Sequence, residues 1–401
     1  MKLPTLHLLL PVLLILVLAA APARADERPF AQCLGGLRVQ AANAGFSAAL
    51  LEGTLGTARY EQRVIDLDRR QPEFTDTAAN YLNRRVTDQR IAQGRELLQH
   101  HERLLQRMAR DHGVAPQYLL AFWGLESNFG TTFGGIPVLN SLATLACDER
   151  RSSYFTAELI NALRILDRGD IDATGMVGSW AGAMGHTQFM PSAYLQHAVD
   201  GDGDSRIDLW GSVPDALASA GNFLQSLGWQ EGMRWGREVR LPEAFPYEHA
   251  GLERRRSLQE WRRLGITDVD GRALPQVDIE AALIIPAGHR GPAFLAYDNF
   301  RVIMRWNRSE LYALSVGLLA DRIAGAGGLR APLPADAPRL HREQVLELQT
   351  KLGESGFDAG TPDGVLGPAT RRAIQAFQHS RGMVADGHPD VGLLKAVGVE
   401  F

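Results

Sequence analysis

The chain has 401 residues, of which 45% are hydrophobic and 22% are charged, a composition typical of folded globular domains. Its 42 basic and 46 acidic residues give a formal net charge of −4 at pH 7. This balance gives no support to nucleic-acid binding and favours a substrate of neutral or mixed charge. The 11 histidines contain no His-Glu-x-x-His pattern, so a zinc hydrolase is not expected.

Residues 1–25 have the pattern of a secretory signal peptide. Lys2 precedes an apolar stretch from Leu8 to Ala21, and small residues flank Arg24 at the expected cleavage site. The apolar stretch is shorter than the ~20 residues that a membrane span needs. We therefore expect an exported protein that begins near Asp26 and has no membrane span.

The cysteines are Cys33 and Cys147. In an exported protein such a pair predicts one disulfide, which would tie the N-terminal segment to the middle of the chain. Chain-entropy models give a loop of this length about 4 kcal/mol of stabilisation. The alternative is two buried free thiols. Cys33 also lies too far from the cleavage site to carry a lipid anchor.

Helical periodicity dominates the chain from residue 30 to 323, for example between Gln93 and Asp111, so this part is predicted to be mainly α. One helix should begin at Pro116 and carry Glu126 near its C-terminal end, above Phe122 and Trp123. A carboxyl group over such neighbours resists ionisation and suits a general acid. The alternative is an ordinary surface glutamate near a helix end.

A glycine-dense loop follows at residues 178–192, with polar and aromatic side chains interleaved. Glycines let the backbone approach a ligand closely, and serine, glutamine and aromatic groups suit the recognition of sugars. The alternative is a tight junction between two helices.

Acidic residues at EF-hand spacing come next. Asp200, Asp202, Asp204 and Asp208 occupy positions 1, 3, 5 and 9 of such a loop. Ser205 stands where a glycine is usual, and position 12 lacks its glutamate. The loop predicts a structural calcium ion that takes no part in catalysis, and the alternative is an acidic surface turn.

The pattern changes twice towards the C-terminus. Short apolar runs among prolines and glycines at residues 237–300 predict a few strands in a small subdomain. Residues 324–339 are rich in glycine and proline and predict a linker. Residues 340–401 should then form a separate small domain.

In this tail, two amphipathic helices flank an Asp-Gly turn at 363–364, and a third short helix is predicted around Val391 to Ala396. The order of residues closely resembles the three-helix peptidoglycan-binding domain of wall enzymes, although the last turn at 387–390 is irregular. The alternative is a helical cap or a dimerisation domain.

Several motifs in order resemble the B-type lytic murein transglycosylases. They are Glu-Ser-Asn-Phe-Gly at 126–130, Leu-Ala-Thr-Leu at 142–145, Gly-Ala-Met-Gly at 182–185, Gln-Phe-Met-Pro-Ser at 188–192 and Asn-Arg-Ser-Glu-Leu-Tyr at 307–312. The resemblance implies a lysozyme-like catalytic domain at residues 26–323, mainly α with a small β-containing subdomain. It also implies peptidoglycan glycan strands as substrate and the periplasm as location.

The resemblance assigns roles position by position. Glu126 matches the sole acid and base of the family, and Asp215 and the Arg206 carbonyl match its later calcium ligands. The positions that match sugar-binding residues are Ser179, Trp180, Gln188, Trp306, Asn307, Tyr312 and, more loosely, Tyr81 and Phe223. His186, Trp306 and Phe223 stand where tyrosine-type side chains are common in the family.

The implied reaction cleaves the β-1,4 bond between N-acetylmuramic acid and N-acetylglucosamine and leaves a 1,6-anhydro end. The first rival is a hydrolytic muramidase with a second carboxylate, and the second is a non-catalytic wall-binding scaffold. No cofactor is expected for catalysis, and proteins of cell-wall synthesis or division are considered as further partners.

Overall fold

A computed structural model of the chain describes residues 27–70 and 76–401. The predicted signal peptide lies outside these ranges. The first part of the fold is helical. Its helices are α1 (Glu27–Asn43), α2 (Ala48–Gly53), α3 (Gln62–Arg70), α4 (Ala78–Arg85), α5 (Asp88–His100), α6 (Glu102–His112) and α7 (Pro116–Ser127).

The helical pattern at residues 93–111 belongs to two helices, because the backbone of His101 leaves the helical region between α5 and α6 (φ −102°, ψ 21°). Helix α7 begins at Pro116 as predicted, since proline at the first helical position lacks only an N–H that would have no partner there. Nearly every residue of α7 is buried, so this helix is the centre of the first hydrophobic core.

A second core lies beside the first. It takes side chains from α1, α2 and α3 and from a later region with two short strands and four helices. These are β1 (Ile136–Pro137), α8 (Val138–Ala146), α9 (Ser152–Arg168), β2 (Val177–Gly178), α10 (Pro191–His197) and α11 (Val213–Ser226). Strands β1 and β2 pair antiparallel. The predicted disulfide is present: Cys33 on α1 joins Cys147 directly after α8.

The strands predicted at 237–300 form a five-stranded antiparallel sheet in the order β4-β6-β7-β3-β5. Trp261 is fully buried in its core. Its elements are β3 (Gly236–Arg240), β4 (Arg255–Ser257), α12 (Leu258–Arg263), β5 (Thr267–Asp268), β6 (Glu280–Ile284) and β7 (Ala293–Ala296).

Two further helices, α13 (Asp298–Trp306) and α14 (Glu310–Ile323), return the chain to the first core, where α14 packs along α7. Residues 324–341 form no helix or strand. The tail then folds as α15 (Arg342–Glu354), α16 (Pro368–Ser380) and α17 (Val391–Val397) around its own small core. Within the described ranges, no helix is both long and apolar enough to cross a membrane.

Candidate active site

Glu126 lies in the last turn of α7 and is half-buried. Trp306, the last residue of α13, donates from Nε1 to Glu126 Oε1 at 2.8 Å. Tyr312, in the first turn of α14, donates from its hydroxyl to the same oxygen at 2.5 Å. Both donors use Oε1, so in the described structure Oε2 is the carboxyl oxygen that receives neither bond.

The environment of Glu126 opposes its ionisation. Burial raises the pKa of this carboxyl above its ordinary value, and the hydrogen bonds from Tyr312 and Trp306 and the charge of Arg85 offset only part of the rise. The same burial, with the neighbouring carboxylate, raises the pKa of the Tyr312 hydroxyl, so Tyr312 keeps the proton that it donates. The site therefore contains a carboxyl group that tends to stay protonated.

Aromatic rings surround this carboxyl. The ring of Trp306 lies 4.6 Å from that of Phe122, 5.1 Å from Phe223 and 5.4 Å from Phe189, measured between centroids. Phe223 in turn stacks on His197 at 4.5 Å. Packing fixes the Trp306 indole, and with it the direction of the N–H that meets Glu126.

The predicted sugar-binding residues of the glycine-dense loop stabilise the loop itself. Ser179 Oγ accepts from the Ala183 N–H at 3.0 Å. Gln188 has a positive φ of 49° and donates from Nε2 to the carbonyls of Gly185 and Phe133 at 3.0 and 3.2 Å. The loop is joined to the acid through the contact of Phe189 with Trp306, since Phe189 pairs with Met184 across the loop.

The other predicted residues lie around the same region with different exposure. Tyr81 on α4 is 2% exposed and interacts electrostatically with Tyr312. Trp180 is half-buried against the second core, and Asn307 is exposed directly after α13. The structure thus places Trp306, Tyr312, Phe223 and Tyr81 around Glu126, whereas Ser179, Trp180 and Gln188 belong to the adjoining loop.

Two residues near the acid were missed by the sequence analysis in these roles. Arg85 interacts electrostatically with both Glu126 and Tyr312, and its spacing of four residues from Tyr81 was the available signal. His186 accepts from Trp123 Nε1 at 2.9 Å and is buried, which lowers the pKa of its ring. A Cβ on residue 130 would lie 2.1 Å from the His186 ring, so packing requires glycine at this position, four residues after Glu126.

The acidic loop brings three exposed carboxylates together. One carboxylate oxygen each from Asp200, Asp202 and Asp204 lie within 4.8 Å of one another. Ser205 adopts a positive φ of 69° at the position where EF-hands have glycine, and its N–H bonds Asp200 Oδ2 at 2.8 Å. Oxygen ligands in this arrangement fit calcium, which is a hard cation.

The other two predicted calcium ligands, Asp215 and the carbonyl of Arg206, are not part of this group of three carboxylates. Asp215 is buried and accepts from the backbone N–H groups of Gly201 and Asp208, both at 2.8 Å, and it does not join the group of three carboxylates. Arg206 lies within the loop and donates its backbone N–H to Asp204 Oδ1 at 2.8 Å. In this structure Asp215 closes the loop through the backbone.

A half-buried acid among aromatic rings in an α-rich domain, followed by a small helical domain, is an arrangement typical of a glycan-cleaving enzyme with an accessory domain. The family described as "Transglycosylase SLT domain" matches residues 29–321, and "Putative peptidoglycan binding domain" matches residues 341–397. The "Membrane-bound lytic murein transglycosylase B" of Escherichia coli (strain K12) is 30% identical over 295 residues, which cover 70% of this chain and 79% of the relative.

Solved structures agree with this assignment. SltB3 from Pseudomonas aeruginosa, in complex with NAG-anhNAM-pentapeptide, is 43% identical with a TM-score of 0.89, covering 92% of this chain and 99% of SltB3. Escherichia coli Slt35 in complex with calcium is 28% identical with a TM-score of 0.64, covering 75% and 94%. The chain belongs to the transglycosylase SLT family and is a lytic transglycosylase of peptidoglycan, and hydrolysis is the less favoured activity.

Proposed function

We propose that Glu126 performs both proton transfers of the transglycosylase reaction. It first protonates the glycosidic oxygen between N-acetylmuramic acid and N-acetylglucosamine, and the C1–O bond breaks. The ionised Glu126 then removes the proton of the C6 hydroxyl, and this oxygen bonds C1 to close the 1,6-anhydro ring. No water enters the product, and the carboxyl returns to its protonated form.

The observation that supports this proposal is the pair of donors on Glu126 Oε1. With both bonds on one oxygen, the proton resides on Oε2, which is the oxygen available to a substrate. When Oε2 gives up its proton, the charge that develops is already stabilised by the Trp306 N–H and the Tyr312 O–H. Preorganised donors of this kind stabilise developing charge without further reorganisation.

A single carboxyl needs help to stabilise the positively charged sugar that forms at C1. We assign this to the N-acetyl oxygen of the substrate, as in glycosidases that use substrate assistance in place of a second carboxylate. The proposed contacts to the sugar and its acetamido group come from Ser179 and Gln188. Trp180 and Phe223 would supply aromatic surface, and Asn307 a polar group. Tyr81, which is almost completely buried, would act behind Tyr312 and not as a sugar contact.

The test is digestion of purified peptidoglycan sacculi by the enzyme and by Glu126→Gln, with products identified by mass. We expect 1,6-anhydro ends from the enzyme, lighter by one water than hydrolysed ends. Glu126→Gln keeps the shape of the side chain but lacks an acidic proton and cannot act as a base, so it should release no products. Release of anhydro products by a folded Glu126→Gln variant would refute the role of Glu126.

We further propose that the loop at 200–208 binds a structural calcium ion through Asp200, Asp202, Asp204 and the Arg206 carbonyl, with Asp215 supporting the loop. Calcium would neutralise the repulsion among three clustered carboxylates. The expectation agrees with the relative Slt35, whose structure is described in complex with calcium. Calcium added to chelated protein should raise its melting temperature, and Asp202→Asn should abolish most of this rise. An unchanged melting temperature would refute the site.

The remaining organisation is proposed from the sequence. Residues 1–25 would direct export to the periplasm, residues 26–323 would form the catalytic domain, and residues 324–339 would link it to a peptidoglycan-binding domain at 340–401. Peptidoglycan is the expected partner of both domains.

A further inference from the structure

The tail domain is built from an internal repeat. Helices α15 and α16 each carry an arginine and, seven positions later, a glutamine: Arg342 and Gln349 on α15, Arg371 and Gln378 on α16. An Asp-Gly turn follows each glutamine, at residues 363–365 (the first turn) and 386–388 (the second turn). In both halves the next helix begins five positions after the aspartate.

The hydrogen bonds of the first turn all use one oxygen of its aspartate. Gln349 Nε2 donates to Asp363 Oδ1 at 2.9 Å and to the Val365 carbonyl at 3.1 Å. The Gly364 N–H donates to Gln349 Oε1 at 2.9 Å, and the Val365 N–H donates to Asp363 Oδ1 at 2.9 Å. Asp363 Oδ2 takes no part in these bonds and is left for a group outside the turn.

The second turn repeats the same four bonds. Gln378 Nε2 donates to Asp386 Oδ1 at 3.0 Å and to the His388 carbonyl at 3.2 Å. The Gly387 N–H donates to Gln378 Oε1 at 2.8 Å, and the His388 N–H donates to Asp386 Oδ1 at 2.9 Å. The two turns therefore have the same internal structure, and they differ in what meets Oδ2.

In the second turn, Oδ2 binds a peptide segment of the catalytic domain. Asp386 Oδ2 accepts from the backbone N–H of His289 at 2.9 Å and from its ring Nδ1 at 2.6 Å, and the Asp386 side chain is only 4% exposed. The preceding residue, Gly288, has a positive φ of 67°. A Cβ in the L configuration there would lie 2.6 Å from Asp386 Oδ2. The second turn thus accepts a backbone N–H that follows a residue in the left-handed conformation.

The first turn presents the same oxygen to solvent. Asp363 is exposed, and in the described structure its Oδ2 accepts no hydrogen bond. Arg342 is also exposed and lies along the turn, where its Nη2 donates to the Asp363 carbonyl at 3.0 Å. The first turn therefore offers a carboxylate oxygen for a backbone N–H, with a guanidinium group beside it.

We propose that the first turn binds the stem peptide of peptidoglycan, with Asp363 Oδ2 accepting a backbone N–H that follows a D-residue. The inference rests on the proposed role of residues 340–401 in binding peptidoglycan, and it names the part of the polymer that is bound. Stem peptides contain D-residues, which adopt a positive φ without the steric cost that L-residues have. They also carry free carboxylates, which suit the guanidinium of Arg342.

The first experiment measures binding to purified sacculi by co-sedimentation, using the full chain with Glu126→Gln so that the polymer stays intact. Asp363→Asn is added to this chain, since asparagine keeps an oxygen for the internal bonds but places a nitrogen at the Oδ2 position. Asp358→Asn is the matched control, because Asp358 is exposed in the same loop and accepts from the Gly360 N–H at 2.9 Å. We expect Kd to rise about tenfold for Asp363→Asn alone. On sacculi stripped of stem peptides by an amidase, the three proteins should bind alike.

The second experiment uses peptides without sugar, so its result does not depend on the role of Glu126. Calorimetry compares a synthetic stem pentapeptide of L-alanine, D-glutamate, meso-diaminopimelate and two D-alanines with an isomer in which L-glutamate and L-alanines replace the D-residues. The wild type should bind the isomer about tenfold more weakly, because an L-residue resists the left-handed conformation. Asp363→Asn should bind both peptides weakly and alike.

Four outcomes would overturn the proposal. Unchanged binding of sacculi by folded Asp363→Asn would show that the turn is not a wall-binding site, and an equal loss on stripped sacculi would assign it to the glycan. Equal affinity of the wild type for the two peptides would exclude recognition of a D-residue, and this comparison decides the matter if Asp363→Asn does not fold. A wild-type dimer that Asp363→Asn dissociates would place residues 288–289 of a second copy on the turn. The products of Glu126→Gln digestion test the catalytic proposal separately.

Discussion

At the scale of single residues, the candidate site depends on which side chains donate hydrogen bonds to the carboxyl of Glu126. The sequence placed Trp306 and Tyr312 in the cleft by family resemblance, as residues that contact sugar. In the structure both donate to Glu126 Oε1, although they lie 180 and 186 positions further along the chain. Residue types and spacing do not determine rotamers across such separations. The position of Glu126 among aromatic neighbours was therefore predictable, and the two donors to its carboxyl were not.

The variant Tyr312→Phe tests the contribution of the Tyr312 hydroxyl separately from that of its ring. The ring remains buried, but the carboxylate that forms on proton transfer loses one of its two donors. A hydrogen bond to a charged group is worth about 1.5–3 kcal/mol, so we expect kcat to fall about ten- to a hundredfold. Steady-state kinetics on peptidoglycan fragments would show this, with circular dichroism to confirm the fold.

Tyr194→Phe is the matched control for this variant. Tyr194 is also buried, and its hydroxyl donates to the carbonyl of Ile207, away from the acid. Its removal should lower the melting temperature and leave kcat close to the wild-type value. Equal kinetic losses in the two variants would show that general destabilisation explains the effect of Tyr312→Phe.

At the scale of elements, the sequence predicted the features that depend on residues close together in the chain. Pro116 and the apolar pattern predicted α7, and the Gly/Pro content of residues 324–339 predicted the segment without helix or strand. The break at His101 between α5 and α6 was not predicted, because no glycine or proline marks it. In the acidic loop, the spacing predicted carboxylates at Asp200, Asp202, Asp204 and Asp208. The structure brings the first three together, whereas Asp208 and Asp215 accept from backbone N–H groups. Burial of Asp215 raises its pKa, which the backbone hydrogen bonds only partly oppose.

Ser205→Gly tests the strain in this loop. Ser205 has a positive φ of 69°, a conformation that glycine adopts without steric cost. Glycine also gains entropy in the unfolded chain, so the net gain should be small, about 0.5 kcal/mol in favour of the variant. Thermal unfolding of the calcium-free protein would measure it. A clear loss of stability would show that the Ser205 side chain makes a contribution larger than the strain.

At the scale of the whole molecule, the segment predicted as a linker is attached along its length. The backbone N–H groups of Arg330 and Ala331 donate to the carboxylate of Glu238 on β3. Asp336 receives two bonds from Arg290, at 2.7 and 3.0 Å. Composition predicted the absence of regular structure but could not show these contacts, since they depend on residues about 45 to 95 positions earlier.

The tail domain contains two Asp-Gly turns with the same internal bonding. In the first turn, Gln349 Nε2 donates to Asp363 Oδ1, and in the second, Gln378 Nε2 donates to Asp386 Oδ1. Of these two turns, only the second makes a described hydrogen bond to the sheet subdomain. There, Asp386 Oδ2 accepts from the backbone N–H and the ring Nδ1 of His289. The sequence analysis identified the end of this turn only as an irregular version of the last turn of the peptidoglycan-binding domain.

Asp386→Asn should therefore loosen the tail domain from the catalytic domain, whereas Asp363→Asn should not. Both variants weaken an Asp-Gly turn, but the first also removes the charge that His289 meets. Burial raises the pKa of Asp386, yet its hydrogen bonds with His289, His388 and Gln378 outweigh burial and hold it below the ordinary value. A lowered pKa means that the contact is stable at neutral pH and is lost as pH falls through that lowered value. Small-angle scattering at pH 7 should show a larger radius of gyration, and trypsin should cut after Arg330 or Arg339 faster, for Asp386→Asn alone. Equal compactness and equal cleavage of the two variants would show that the Asp386–His289 contact does not hold the domains together.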